Sequence, residues 1–427
     1  MCTIAAAPKV ADSTQTMRNS KVTDMKFKGY RRADGSIGIR NHILVIPTVS
    51  CVNRVALDIA SKTGAVTFMH PYGCTFDAEE NTTTEDTFIG HGRHQNVGAV
   101  LVVSLGCETA SARRIADAIA STGKPVEMLI VQKQGGARST RDTGIEIVER
   151  LKGEIAAEPR DEGDVSELIV ALECGSSDAF SGLTANPAVG EAADILVGAG
   201  GTVVLSEITE MVGAERVLWR RGKTDRIKQD LMALIKEYEI ELSMTTQDDS
   251  GVFISPGNIE GGLTTIEEKS LGCIYKAGTQ PIVQIVKYGE RPTEKGVVIM
   301  DTPGFDIASV TGKVAGGAHM VLFTTGKGTP TGSCIAPVLK ISSNNDTYKA
   351  LREDIDLSAG DVLEGTKSLK QVGEEIVELV LDVANGKEAK AEYFNIQEFA
   401  IPNVSVVRKE VIHQKLAEQN DFRFQQP

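Results

Sequence analysis

The sequence predicts an α/β protein built from two domains with mainly parallel, Rossmann-like sheets. Three observations lead there. Short, continuous apolar runs recur along the chain, as expected of strands buried on both faces of a parallel sheet. Segments with helical spacing separate those runs, and this alternation is the α/β pattern. The 427 residues exceed what one ordinary hydrophobic core holds, so two cores are expected.

Taken in order, residues 1–24 are polar and lack the basic-then-apolar order of a leader, so they read as a disordered extension. A first α/β domain is expected over 25–155. Its strands are H-I-L-V-I-P-T-V (42–49), A-V-T-F-M (65–69), A-V-L-V-V-S-L (99–105) and E-M-L-I-V-Q (127–132), with helical spacing in T-A-S-A-R-R-I-A-D-A-I-A-S-T-G (109–123). The charged stretch 150–166, which contains Pro and Gly, marks the domain boundary. A second α/β domain is expected over 165–405. Its strands are E-L-I-V-A-L-E (167–173), T-V-V-L-S-E (202–207), I-V-Q-I-V (282–286), V-V-I-M-D (297–301) and M-V-L-F-T-T (320–325), with a helix through R-I-K-Q-D-L-M-A-L-I-K-E-Y-E (226–239). Residues 406–427 form a polar tail.

Composition excludes several function classes. The net charge of −13, without a basic stripe, argues against a nucleic-acid partner. No run approaches the length of a membrane span, and with no leader a cytoplasmic protein is expected. Seven cysteines make an odd, scattered set that does not read as a disulfide framework. Thiols that matter here act as metal ligands or reactive groups.

In open parallel sheets, ligands bind outside the carboxyl ends of the strands. Run 42–49 leads to Ser50 and Cys51, run 65–69 to His70 and Cys74, and run 99–105 to Gly106-Cys107-Glu108. Run 167–173 leads to Cys174-Gly-Ser-Ser-Asp178, and run 202–207 ends in Ser206-Glu207 with Glu210 close behind. A cysteine at a strand end is often only a small core hydrophobe. Cys74, Cys107 and Cys174 each stand in a Gly-containing turn, and thiols from three loops can hold one iron or a cluster with an open iron site.

Other motifs fail or stay open. R-G-K-T (221–224) lacks the spacing and the preceding strand of a P-loop, which leaves D-T-P-G (301–304) without a nucleotide partner. G-A-G-G (198–201) precedes a strand and is a turn, not a dinucleotide fingerprint. The stretch S-P-G-N-I-E-G-G-L-T-T-I-E-E-K-S (255–270) places glycines before a helix start, with capping-box spacing at Thr264–Glu267. Such a start suits a carboxylate or phosphate, or is an ordinary capped loop. Arg40, before the first strand, can clamp a carboxylate or sit in a salt bridge.

These strings together resemble the altronate/galactarate dehydratase family. The matching segments include V-S-L-G-C-E, L-E-C-G-S-S-D-A-F-S-G-L-T-A-N-P-A-V-G, L-S-E-I-T-E-M-V-G-A-E, P-G-N-I-E-G-G-L-T-T-I-E-E-K-S-L-G, M-D-T-P-G and F-T-T-G-K-G-T-P-T-G, spread over residues 26–405. The resemblance implies removal of water from a sugar acid, an aldonate or aldarate, to give a 2-keto-3-deoxy acid. It implies iron, as Fe2+ or an iron–sulfur cluster, and a separately encoded small subunit carrying a SAF-type domain. A homo-oligomer is expected, with no nucleic acid and no membrane. The family also contains a large (beta) subunit of a sulfolactate sulfo-lyase, to which H-P-Y-G (70–73) is similar, whereas Cys74 and Cys107 are similar to the dehydratase branch. A non-catalytic sugar-acid-binding subunit is the remaining alternative.

The roles expected on that basis are as follows. Cys74, Cys107 and Cys174 ligate metal. His70 is the general acid/base, with Glu207 or Glu210 sharing that work, and Lys269 serves as a base if it is desolvated. Arg40, Asn258, Thr264 and Thr265 bind substrate oxygens.

Overall fold

The computed structural model describes residues 25–245 and 254–402. The expected extension 1–24 and tail 406–427 lie outside the described residues, as does the end of the second expected domain.

The strands in chain order are β1 (Lys26–Arg31), β2 (Ile37–Gly38), β3 (His42–Pro47), β4 (Val66–Thr67), β5 (Val97–Ser104), β6 (Val126–Ile130) and β7 (Arg160–Asp164). There follow β8 (Ile169–Gly175), β9 (Thr202–Leu205), β10 (Ile282–Val286), β11 (Val297–Met300), β12 (Met320–Thr325), β13 (Val338–Ser342) and β14 (Leu357–Ser358). They form a four-stranded sheet in the order β4-β3-β5-β6 and a seven-stranded sheet in the order β10-β11-β9-β8-β12-β13-β14. Every pairing in both is parallel. The α/β class with two parallel sheets is therefore what the chain adopts, and each apolar run named above overlaps one of these strands.

The sequence reading missed the third sheet, an antiparallel ribbon in the order β2-β1-β7. Strand β7 is R-D-E-G-D, inside the charged stretch 150–166, where the helix Ala137–Ile155 also ends. Its side chains are largely solvated, so composition hid a strand that pairs residue by residue with β1. Strand β13 was missed because Lys340 interrupts its apolar run. That lysine is buried, and its ammonium donates to the carbonyls of Pro330 and Thr331 at 3.3 and 2.9 Å.

The two parallel sheets share one core. Leu44, Ile46, Phe68 and Phe88 pack in the same buried cluster as Ile169, Val204, Val298 and Phe323. The amino ends of the sheets also meet. Asn96, just before β5, donates to the carbonyls of His319 and Ile335 at 3.0 and 2.9 Å, just before β12 and β13. Both sheets therefore point their carboxyl ends to the same side of the molecule. In the larger sheet, β8 has β9 on one side and β12 on the other, so the chain order reverses beside β8, where such sheets form a ligand crevice.

Candidate functional site

Three local features bring charged groups to that crevice. Strand β8 ends in Glu173, Cys174 and Gly175. After β9 the chain turns at Glu207, a non-glycine residue at φ 62, into the 3₁₀ turn Ile208–Met211, which sets Glu210 one turn beyond it. Non-glycine residues in this left-handed region are uncommon and strained, and they concentrate at functional sites. Thr302 of D-T-P-G holds the turn, its hydroxyl accepting from the Glu207 amide at 2.8 Å and its carbonyl from Ile208 at 3.1 Å. This is the role of a string that looked like a nucleotide motif. The third feature is the helix Ile266–Cys273 and its 3₁₀ extension Ile274–Ala277, on which Lys269, Cys273 and Lys276 recur at helical spacing on one face.

These groups meet in a buried ion network. Lys276 Nζ lies 2.9 Å from Cys174 Sγ, 2.9 Å from Glu207 Oε2 and 3.2 Å from Glu210 Oε2. The Cys174 thiol donates to Glu210 Oε2 at 2.9 Å and lies 3.3 Å from Cys273 Sγ. Lys269 Nζ sits 2.8 Å from Glu210 Oε1. Lys269 and Cys273 also line a cavity of about 230 Å³ with Asp178, Ser181, Asn186 and Leu263. The Lys269–Glu210 pair thus connects an open cavity to the buried network.

The electrostatics follow from the pairing. Burial pushes Glu210 up, but Lys269 and then Lys276 outweigh it and hold this carboxylate well below its usual range. Burial also opposes the charge on Lys269, yet Glu210 and the neighbouring thiols raise it, so the ammonium stays protonated. Lys276 is raised by Cys174, Glu207 and Glu210 against the same burial cost. Glu207 moves the other way, since burial, Glu173 and Glu210 push it well above an ordinary carboxyl. Two neighbouring carboxylates therefore take opposite protonation tendencies, a pattern that marks acid/base sites.

A third layer lies behind. Glu173, Glu207 and Asp306 bring carboxylate oxygens within 4.8 Å of one another. Glu173 Oε2 accepts from Ser309 Oγ at 2.8 Å and from the Lys313 ammonium. Gly175 makes room for this approach, because a Cβ there would lie 2.0 Å from Asp306 Oδ2. Burial, then Glu207 and Glu210, push Asp306 up to about 7.

Two groups of described residues have metal-ligating atoms close together, Cys174–Glu210–Cys273 and Glu173–Glu207–Asp306. The first does not fit an iron, because the Lys276 ammonium already makes the contacts that a cation would make. The second offers hard oxygen donors. However, Lys276 and Lys313 already balance two of its three carboxylates. Two of its oxygens, Glu173 Oε1 and Glu207 Oε1, are buried without a hydrogen-bond partner. Neither group supplies three thiols.

Of the residues expected from sequence, Cys174, Glu207, Glu210 and Lys269 are brought together. Cys74 and Cys107 are not with them: both are exposed, in loops of the other parallel sheet, whereas Cys174 is buried against Glu210 and Cys273. The expected trio Cys74–Cys107–Cys174 is therefore split. His70 is no free acid/base. Its ring is buried among Phe68, Tyr72 and Phe88, with Nε2 2.8 Å from the Pro47 carbonyl and Nδ1 accepting from the Tyr72 amide at 3.1 Å. Burial lowers it to about 4, so it is a neutral strut that fixes its own turn.

Arg40 is not open to a substrate. It grips Glu392 through Nε and Nη2 at 2.7 and 2.8 Å, and donates to the carbonyls of Ile39, Val383 and Lys387. Asn258 is buried, and its amide donates to the Ser177 carbonyl at 3.0 Å. Thr265 caps the helix by accepting from the Glu268 amide, and Thr264 donates its amide and hydroxyl to Glu268. The S-P-G-N-I-E-G-G-L-T-T stretch thus builds the wall and helix start that carry Lys269, with its polar groups already paired. Sequence reasoning missed Cys273, Lys276, Glu173, Lys313 and Asp306. The period 269, 273, 276 signalled the first two, and nothing local signalled the others.

Comparison with known proteins places the chain. The family model described as D-galactarate/Altronate dehydratase, C-terminal, matches residues 165–407, and that described as D-galactarate dehydratase/Altronate hydrolase, second domain, matches residues 29–156. Altronate dehydratase of Escherichia coli (strain K12) is 35% identical over 397 residues, covering 90% of this chain and 78% of the relative. The (2R)-sulfolactate sulfo-lyase subunit beta of Chromohalobacter salexigens is 36% identical over 380 residues, covering 88% and 96%. Galactarate dehydratase (L-threo-forming) of Escherichia coli (strain K12) is 35% identical over 383 residues, covering 85% and 73%. The chain belongs to the D-galactarate/altronate dehydratase family.

Proposed function

We propose that the protein is a sugar-acid hydro-lyase, a carbon–oxygen lyase that removes water from an aldonate or aldarate to give a 2-keto-3-deoxy acid. The observation that carries this reading is the Lys269–Glu210 pair on the wall of the crevice cavity, in a chain whose relatives include altronate and galactarate dehydratases. Elimination next to a carboxylate needs a charge to hold that carboxylate, a base for the α-proton and an acid for the departing hydroxyl. Lys269 Nζ, kept protonated, is placed to bind the substrate carboxylate and stabilise the enediolate that develops from it. As Lys269 turns to the substrate, Glu210 Oε1 loses its partner, regains basicity and takes the α-proton. Asp306, pushed up to about 7, is the carboxyl best matched to return a proton to the hydroxyl near neutral pH. Glu207 keeps its proton and holds Glu210 and Lys276 in place.

The iron that the family resemblance implies would be held by exposed thiols including Cys74 and Cys107, without Cys174. Iron so held would supply Lewis-acid polarisation of the leaving hydroxyl. A separately encoded small subunit is part of the proposal, supported by a relative that is itself named as a beta subunit.

The test is direct. The protein, alone and with a small subunit, is loaded anaerobically with iron and offered a panel of aldonates and aldarates, with the 2-keto product as readout. Lys269→Met should lower kcat/KM by about a hundredfold or more. Full activity in that variant, or no keto product from any sugar acid, would overturn the reading. Sulfite release from sulfolactate in place of keto-acid formation would assign the chain to the sulfo-lyase chemistry.

A further inference from the structure

Free cysteine is among the residue types most often buried, yet Cys51, Cys74 and Cys107 are all exposed. They follow three neighbouring strands of one sheet, β4-β3-β5, at its carboxyl end. Cys51 lies just past β3, Cys74 past β4 and Cys107 past β5. Adjacent strands lie about 4.8 Å apart, so the three turns start as neighbours.

Hydrogen bonds then tie each turn to the others. The Ser50 amide, next to Cys51, donates to the Tyr72 carbonyl at 3.1 Å. Both neighbours of Cys74 bind the turn that follows Cys107: the Gly73 carbonyl accepts from the Ala110 amide at 3.2 Å, and the Thr75 amide donates to Thr109 Oγ1 at 2.9 Å. Glu108, next to Cys107, accepts from Thr48 Oγ1 at the end of β3 at 2.5 Å and from the Gly106 amide at 2.6 Å. Gly73 is what allows the closest approach. It has φ 101, and a Cβ there would stand 2.1 Å from the Thr48 carbonyl oxygen. The buried, neutral His70 braces the same turn between Pro47 and Tyr72.

We propose that Cys51, Cys74 and Cys107 together form a thiolate site for a cubane iron–sulfur cluster, with Cys51 and not Cys174 as the third ligand. The inference rests on the iron dependence in the functional reading above. The donor type suits iron–sulfur chemistry. Each thiol gives up one proton to solvent as its sulfur binds iron, and two ferrous and two ferric ions supplied with four sulfides assemble the cubane core without net electron transfer. With three protein thiolates, one iron corner has no protein ligand and is open to an oxygen of a bound molecule. The turn also reaches the larger sheet. Tyr72 Oη donates to the Ile401 carbonyl at 2.9 Å, and the Ala400 amide donates at 3.2 Å to Thr311, on the helix Asp306–Ala315. The thiol site and the helix that begins at Asp306 therefore belong to the same side of the molecule.

The test is anaerobic reconstitution of the whole protein with iron and sulfide, followed by gel filtration. Iron and sulfide per chain, the visible charge-transfer absorption and the thiols protected from alkylation are then measured. Cys51→Ser, Cys74→Ser and Cys107→Ser should each lower retained iron and sulfide by about tenfold or more, while Cys174→Ser retains both. Alkylation mapped by mass spectrometry should show Cys51, Cys74 and Cys107 protected only in the reconstituted protein. Exposed serine substitutions should leave the melting curve unchanged, which separates ligand loss from misfolding. The proposal is overturned if Cys51→Ser keeps its iron and sulfide, if Cys174→Ser loses them with its melting curve unchanged, or if iron binds without sulfide. Cluster loading without sugar-acid turnover would leave the thiol site standing and remove the hydro-lyase reading; turnover in protein that holds no sulfide would do the reverse.

Discussion

Asp306→Asn is the substitution for which the structure yields a definite pH dependence. Burial, and then the neighbouring Glu207 and Glu210, raise this carboxyl from 3.8 to about 7. Each factor of ten in acidity is worth about 1.4 kcal/mol, so the full shift corresponds to about 4 kcal/mol at most. The folded value lies above the unfolded one. The stabilisation that goes with the bound proton is therefore complete below pH 3.8 and is lost as pH rises through about 7. Asparagine keeps the size and cannot ionise. Urea denaturation of both proteins across this window should show the wild type losing stability relative to Asp306→Asn as pH rises, with the difference levelling off above about 7. Comparing the two proteins cancels other groups that titrate in the same range, including Lys124, which burial lowers to about 7. A difference that stays constant with pH, or that shrinks as pH rises, would refute the placement of Asp306 against the other carboxylates.

Three further outcomes follow from the same geometry. Lys276→Met removes the ammonium shared by Cys174, Glu207 and Glu210, which should cost about 3–5 kcal/mol in urea denaturation because buried acids lose their counter-charge; an unchanged midpoint would contradict the network. Arg40→Ala should lose about 2–3 kcal/mol of stability through its bonds to Glu392 and the carbonyls, with kcat/KM per folded molecule unchanged, whereas a selective rise in KM would restore Arg40 as a substrate clamp. His70→Gln should leave the pH profile of kcat/KM unaltered. Because burial lowers His70 from 6.5 to about 4, its neutral-form contribution is present above 6.5, and the wild type should lose stability relative to the variant as pH falls through about 4.

The parallel strands could be read from the chain because a strand covered on both faces must be apolar throughout. Strands that break this rule were hidden: β7 is nearly all polar on a solvated ribbon, and β13 carries a buried lysine whose charge is met by carbonyls. Strand ends were readable as well, so Cys174, Glu207 and Glu210 were picked out and are brought together in the structure, and Lys269, picked out from the helix that follows the glycine-rich loop, joins them through Glu210.

The sequence by itself determined the fold class, the family and a short list of groups able to do chemistry near strand ends. Only the tertiary structure decided which of these groups share a site and which are already engaged. Cys174 meets Lys276, 102 residues away, while Cys74 and Cys107 stay exposed in loops of the other sheet, because strand order within each sheet is set by long-range packing and not by neighbours in the chain. Arg40 and His70 have reactive side chains wherever they stand. Their donors and acceptors are taken by Glu392, Pro47 and Tyr72, and a side chain's freedom to react depends on those contacts, which residue type alone does not carry.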